Sequence, residues 1–323
     1  MQKSISVVIP NYNGTALLKD NLPSVYQALK KLGSTDYEVI VADDASKDDS
    51  VDFLEKNYPE IVIVKNAKNL GFSGNINSGL KVATKDLVLA LNSDVKLTED
   101  YFIHQMKYFN DAEVFGVMTT IVDPRSQQVV DSAKYAKQSF FGVIKSTLNA
   151  QSGDKNLPSF FLSGANALID RKKLEKIDYF NELFSPFYGE DVDLGMRAWR
   201  MGWTCIYEPK SICYHEASST IQSSHKKNTI RNISRRNKFT FHDLHLDSCK
   251  RFLFFSKVAL DLFVRWLVFD FNYYKSFSEY LQKKGRINNY KKMFGDLNPK
   301  YKTQDALQRI ESEFKKSKIT FLN

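Results

Sequence analysis

A chain of 323 residues can bury roughly three quarters of the surface its unfolded form exposes, so it needs no disulfide or metal staple to fold. At 43% hydrophobic and 26% charged, with 14 Gly and 8 Pro, it is a globular composition, which excludes collagen, mucin-like stalks and wholesale disorder. The net charge of +9 conceals an asymmetry: residues 221–323 hold 22 Lys+Arg against 9 Asp+Glu, whereas residues 1–220 hold 24 against 28. A basic region beside a mildly acidic one points to an anionic surface, either membrane headgroups or nucleic acid.

Cys205, Cys213 and Cys249 fit neither a CxxC redox site nor a zinc knuckle and read as ordinary thiols of a reducing compartment. The opening MQKSISVVIPNYNG is too short in apolar residues for a signal peptide or a span, so it reads as the first strand of a cytoplasmic domain. That strand, Ile5 to Ile9, ends at Pro10 and the Asn11, Asn13, Gly14 cluster. A helix over Leu17 to Leu32 should follow, then a strand from Tyr37 to Ala42 ending in Asp43 and Asp44, and a short helix around Val51, Phe53 and Leu54. Ile61 to Val64 reads as a third strand, Gly71 to Leu80 as a helix, and Asp86 to Leu91 as a fourth strand ending in Asn92, Ser93 and Asp94. Apolar strand, polar loop and helix in repeated order predict a mostly parallel sheet covered on both faces.

Ligands of such sheets sit beyond the carboxyl ends of the strands. Here those ends carry Asn11–Tyr12–Asn13, Asp43–Asp44, Asn69–Leu70–Gly71 and Asn92–Ser93–Asp94, a candidate shared pocket. Neither GxGxxG nor GxxxxGK[ST] occurs, which removes the main support for a dinucleotide enzyme or a P-loop nucleotidase. Beyond these come a predicted helix over Tyr101 to Phe109, a strand over Val114 to Thr120, and an irregular stretch, 121–158, read as a loop-rich insert or lid. Ser163–Gly164–Ala165–Asn166 interrupts two apolar runs with small residues.

Glu190, Asp191 and Asp193 lead into a helix containing Met196, Arg197 and Trp199. The three acids either simply begin that helix or supply a general base, with Asp191 in the first turn, where the dipole favours its ionised form. Trp203 to Tyr207 and Ser211 to Tyr214 read as two strands, followed by His215 and Glu216. If His215 returns to the rim bearing Asp94, the pair suits a hard divalent cation; spacing alone does not establish that return.

Six segments in one order carry a resemblance: SVVIPNYNG (6–14), EVIVADDASKDDS (38–50), NLGFSGNINSGL (69–80), LALNSDV (89–95), FLSGANALIDRKKL (161–174) and residues 187–219. Over about the first 240 residues the chain resembles family 2 glycosyltransferases of the GT-A fold, in the bacterial subgroup that includes many rhamnosyltransferases. The resemblance implies a nucleotide pocket with Pro10 and Tyr12 in its lining, Asn13 and Asn69 in its loops, Asp43 on the pyrimidine or ribose, and Gly71 and Asn75 on the nucleotide-sugar side. Asn92–Ser93–Asp94 stands where many relatives have Asp-X-Asp; Asp94 would ligate Mn²⁺ or Mg²⁺ together with His215, and Asn92 replaces a charged residue. Asp191 resembles the catalytic base of inverting members, with Glu190 beside it.

Arg235–Arg236–Asn237 matches a segment of the same subgroup, placing Arg235 beside the donor pocket, and no base-reading feature supports nucleic acid as a partner. The run 251–274 is strongly apolar but interrupted by Lys257, Asp261 and Arg265, which predicts an interfacial helix rather than a span, or one buried on the catalytic domain or another subunit. Lys283, Lys284, Arg286, Lys291 and Lys292 should extend a positive surface, and the last residues should be peripheral.

The expected organisation is a GT-A catalytic domain over 1–240, with a donor part near 1–120 and an acceptor part near 159–240, and a basic helical extension over 241–323. The implied activity is inverting transfer from dTDP-rhamnose or a UDP-hexose to a cell-surface glycan precursor, lipid-linked, at the inner face of the membrane. A carbohydrate- or nucleotide-binding subunit and a nucleotidyltransferase are the competing readings.

Overall fold

A computed structural model describes residues 3–33, 35–153, 155–215, 226–317 and 319–322. The apolar runs pair as strands β1 (Ile5–Asn11), β2 (Tyr37–Asp43), β3 (Val62–Lys65) and β4 (Leu87–Leu91), all parallel, in the order β4-β1-β2-β3. Helices α1 (Thr15–Leu32), α2 (Ser50–Asn57) and α3 (Gly71–Leu80) connect them. Alternation along β1 sends Ile5, Val7 and Ile9 into one apolar cluster and Val8 into another, so both faces of the sheet are covered. Burying each such side chain stabilises by roughly 1.5–3 kcal/mol, and their continuity explains why this half reads so clearly from sequence.

The sheet continues past β4 through β11 (Asn166–Asp170), β6 (Val114–Val122) and β12 (Thr204–His215) to β10 (Leu157–Pro158). β11 runs antiparallel to both β4 and β6, so the sheet is mixed rather than wholly parallel. The two strands expected at 203–214 are one, β12, with a register shift between Glu208 and Ile212 on either side of Pro209. The helix expected over 101–109 is replaced by turns and a 3-10 turn at Met106–Asn110, with Tyr101 and Phe102 fully buried.

The stretch 121–158 is more ordered than its composition suggests. It contains β7 (Val129–Asp131), β8 (Ala133–Gln138) and β9 (Ile144–Gln151); β8 and β9 form a hairpin, and β13 (Thr320–Leu322), from the far end of the chain, pairs with β9.

Helices α4 (Arg171–Lys176) and α5 (Glu190–Arg200) precede β12, and α6 (Lys227–His245), α7 (Ser248–Leu267), α8 (Phe271–Gln282), α9 (Lys284–Asp296) and α10 (Thr303–Lys315) follow it. The end of the chain is not peripheral: Ala306, Ile310 and Phe314 form one buried stripe of α10 in the same cluster as Phe160 and Trp199. Part of the expected positive surface is tied down to acceptors inside the fold. Asp243, fully buried in α6, accepts hydrogen bonds from Tyr280 at 2.7 Å, from Lys291 at 2.6 Å and from Lys284. Lys283 donates to the Leu183 carbonyl at 2.7 Å. The run 251–274 divides into α7 and the start of α8, and no described helix is long and apolar enough to cross a membrane.

Candidate active site

The carboxyl ends of β1, β2 and β4 meet on one rim, where their loops are tied by side-chain amides and carboxylates. Asn11 donates from Nδ2 to Asp43 Oδ1 at 2.9 Å, and Asp43 also accepts from the Ser46 hydroxyl at 2.6 Å and its backbone N–H at 3.0 Å. Asp43, only 3% exposed, therefore braces two loops. Asn13, at φ 50°, accepts from the Lys47 N–H at 2.7 Å, while Tyr12 projects from the rim at 50% exposure and Pro10 is half-buried. Asp44 accepts the N–H groups of Leu70 at 2.8 Å and Gly71 at 3.1 Å, and burial holds its carboxyl above the usual range despite those bonds. Asn75 links Asn66 at 2.9 Å to the Asn11 carbonyl at 3.2 Å, and Asn69 accepts from the Gly71 N–H at 3.1 Å.

Gly71 has φ +74°, and a Cβ there would lie 3.0 Å from Pro186 Cα. Phe72 donates its N–H to the Pro186 carbonyl at 3.0 Å, so the Gly71 loop is seated against the loop that leads into α5.

Beyond β4, Asn92 donates its N–H to the Ala165 carbonyl at 3.1 Å, joining the Asn92–Asp94 turn to the Ser163–Asn166 segment. A short strand, β5 (Val95–Leu97), pairs antiparallel with β12 so that His215 faces Val95. This register brings His215 Nε2 to 3.2 Å from Asp94 Oδ1, the return to the rim that spacing could not establish. Glu216, the next residue, lies outside the described residues. Asn92 Oδ1 is buried without a hydrogen-bond partner in the same turn. A carboxylate, an imidazole and an unengaged amide oxygen are a donor set that suits Mn²⁺ or Mg²⁺, with further ligands left to substrate and water. Among the described residues no three His, Cys, Asp or Glu side chains cluster as a self-sufficient cation site.

The acidic segment enters α5 through two residues with positive φ, Tyr188 at 73° and Gly189 at 98°. A Cβ on Gly189 would sit 3.0 Å from Phe184, so glycine is required there on both counts. Gly189 is the N-cap, and Glu190 opens the helix rather than capping it. Asp191 is partly exposed and lies beside Gly164, where an added Cβ would come within 3.8 Å of the Asp191 Cβ. Burial pushes its carboxyl up to about 6, and the charges of Asp131 and Lys134 on the β7–β8 segment reach it with opposite signs. Glu190 is 8% exposed with Oε2 lacking a partner, and burial together with the Asp191 charge pushes it up to about 8. Of the two, Asp191 is the more exposed to solvent, and its carboxyl is raised less than that of Glu190. Asp193, the third acid, is wholly structural: it pairs with Arg197 at 2.7 Å and His245 at 2.9 Å, with both Asp193 and Arg197 fully buried.

The Arg235–Arg236–Asn237 segment divides its labour. Asn237 donates to the carbonyls of Phe184 at 2.7 Å, Phe187 at 3.0 Å and Tyr188 at 2.7 Å, clamping the turn into α5. Arg236 donates to the Ser185 carbonyl at 2.6 Å. Arg235 instead meets Asp270 at 3.3 Å and the Tyr273 ring, and faces a cavity between α6 and α7. Sequence reasoning placed Asp44 on the candidate rim and Asn237 in the matching basic segment but gave neither a role of its own. Adjacency to Asp43 is the only local sign of the first, and nothing local signals the three carbonyls held by the second.

A family model described as "Glycosyl transferase family 2" matches residues 6–178, more than half of the chain, and the chain belongs to that family. Its fold is that of GT-A glycosyltransferases. The crystal structure of GalNAc-T7 with UDP, GalNAc and Mn²⁺ superposes with a TM-score of 0.67 at 14% identity, covering 98% of this chain and 58% of that one. S. aureus TarS 1-349 in complex with UDP-GlcNAc gives 0.58 at 18% identity, covering 97% and 92%. Poly-beta-1,6-N-acetyl-D-glucosamine synthase of Staphylococcus epidermidis is 23% identical over 226 residues, 68% of this chain and 51% of that protein. The chain thus spans about half the length of this curated relative.

Proposed function

We propose that the protein transfers a sugar, with inversion, from a nucleotide-diphosphate donor to a hydroxyl of a cell-surface polysaccharide precursor carried on a lipid. The observation that carries this reading is the meeting of Asp94 and His215 at 3.2 Å on the rim built by Asn11, Asp43 and Asn75. Asp191 takes the proton of the acceptor hydroxyl as that oxygen bonds to the anomeric carbon and the bond from that carbon to the diphosphate breaks. The nucleoside diphosphate leaves, and one displacement inverts the configuration without a covalent intermediate. Mn²⁺ or Mg²⁺, held by Asp94 and His215 with Asn92 alongside, would neutralise charge on the departing diphosphate. Glu190, the more deeply buried and the more strongly raised of the pair, shapes the turn and leaves the neighbouring carboxylate as the base.

The resemblance favours dTDP-rhamnose as donor, whereas the structures named above hold UDP or UDP-GlcNAc. A panel of dTDP- and UDP-sugars with membrane extract as acceptor, read by mass spectrometry, decides the donor. Release of a nucleoside diphosphate supports the transferase, release of inorganic diphosphate would indicate a nucleotidyltransferase, and no turnover would leave a binding subunit.

The place of action we propose is the cytoplasmic face of a membrane. Phe252, Leu260, Phe263, Trp266, Val268 and Phe269 on and after α7 are each more than half exposed, with Lys250, Arg251 and Arg265 among them. Sedimentation with vesicles should require phosphatidylglycerol and weaken with salt; equal binding to neutral vesicles would remove the electrostatic part.

A further inference from the structure

The cavity that Arg235 faces has a volume of about 450 Å³ and lies between α6, α7 and the β8–β9 turn. Five cations line it: Lys145, Arg235, Lys238, Lys257 and Arg265. Two carboxylates answer them. Asp261 pairs with Lys257 at 2.6 Å, and Asp270 bridges Arg235 at 3.3 Å and Arg265 at 3.2 Å, which leaves an excess of three positive charges. Lys145 and Lys238 form no salt bridge among the described residues. Lost hydration and the charges of Lys145 and Lys257 hold the Lys238 ammonium below the usual lysine range.

The walls between these cations are apolar. Phe239, Phe254, Val258 and Tyr273 are all buried, and Phe254 and Val258 belong to the helix whose other residues, Leu260, Phe263, Trp266 and Leu267, are exposed. A soluble anion has no use for such walls, and a lone hydrocarbon has no use for unmatched ammonium groups. A group that is multiply charged at one end and apolar at the other satisfies both.

The geometry points to this cavity as a binding site for the phosphate or diphosphate end of an amphiphile, with its apolar chain leaving along α7. Three excess cations match a diphosphate, which keeps at least two charges even when esterified at both ends, better than the single charge of a phospholipid headgroup. Helix α6 connects this cavity to the transfer site, because Arg235 and Lys238 flank the Asn237 that clamps the turn into α5. That the ligand is the carrier of the sugar acceptor rests on the glycosyltransferase reading above; the binding itself does not.

The test uses the full chain in EDTA, titrated calorimetrically with farnesyl diphosphate below its micellar range and with inorganic diphosphate. Farnesyl diphosphate should bind at least about tenfold more tightly than inorganic diphosphate, and the Lys145→Gln/Lys238→Gln variant should lose about tenfold in that affinity. Both lysines are exposed, so the variant should fold, as a thermal melt will confirm. Equal affinity for the two diphosphates, or an unchanged double variant, overturns the assignment. Displacement of farnesyl diphosphate by phosphatidylglycerol vesicles at matched lipid-phosphate concentration overturns it in favour of a general headgroup site. UDP binding with Mn²⁺, measured separately on the wild type, reports on the transferase reading alone and can fail without touching this result.

Discussion

Asn237 donates its amide to the Tyr188 carbonyl at 2.7 Å, holding a tyrosine at φ 73° immediately before the turn that presents Glu190 and Asp191. A non-glycine residue in that region costs of order 1–3 kcal/mol and persists only where its surroundings hold it. Asn237→Ala leaves three carbonyls without their donor and should lower stability by about 1–3 kcal/mol. It should reduce turnover more than donor affinity, because the displaced group is the base; an equal loss of both would indicate a merely structural role. Single-turnover kinetics beside donor titration distinguishes the two.

Asp191→Asn keeps the size of the side chain and removes its proton-accepting oxygen. Turnover should fall by ~10²-fold or more while donor binding persists. In the wild type the base must be ionised, so the chemical rate should rise with pH through about 6, and this limb should vanish in the variant. A wild-type chemical rate in Asp191→Asn, together with an inactive Glu190→Gln, would move the base to Glu190.

Glu190 makes a separate prediction about stability. Its carboxyl is raised in the folded state from an ordinary 4.5 to about 8, so the folded form binds the proton more tightly than the unfolded one. The stabilisation from that proton is complete below 4.5 and is lost progressively as pH climbs towards 8. Glu190→Gln removes this dependence. Its stability relative to wild type should therefore improve between pH 5.5 and pH 8, by up to about 1.4 kcal/mol per pH unit. Denaturant unfolding at both pH values measures it, and parallel pH profiles would contradict the burial argument.

Asp94→Ala and His215→Ala should each weaken Mn²⁺ binding measured in the presence of UDP, and the aspartate change should suppress transfer more severely because it also removes a charge. Chelation should silence the wild type and readdition of Mn²⁺ or Mg²⁺ restore it. Undiminished turnover of metal-stripped protein, verified by elemental analysis, would rule out this arrangement.

Arg197 and Asp193 form a fully buried ion pair extended by His245, and the Arg197 guanidinium also donates to the carbonyls of Ile177 and Tyr179. Arg197→Met strands a buried carboxylate and should cost about 3–5 kcal/mol, far more than it gains in apolar area. Chemical denaturation read by tryptophan fluorescence tests this, since Trp199 lies on the same helix.

From Ile5 to Asp94 the sequence by itself determines strand and helix order, the polar rim and the positions of Asn11, Asp43 and Asn92. Each of those strands is a short apolar run ended by turn residues, a signal that depends only on neighbours along the chain. The same holds for Asp191 in the first turn of α5. What only the tertiary structure decided are the meetings between distant segments: His215 with Asp94 through the pairing of β12 and β5, Asn237 with the turn at Tyr188, and Arg235 with Asp270 rather than the rim. The polar stretch 121–158 is strand because β13 and α10 pack upon it from the far end of the chain. Local periodicity records which side of an element is buried but not what buries it. Partner choice is settled by packing and hydrogen-bond satisfaction summed over the whole core.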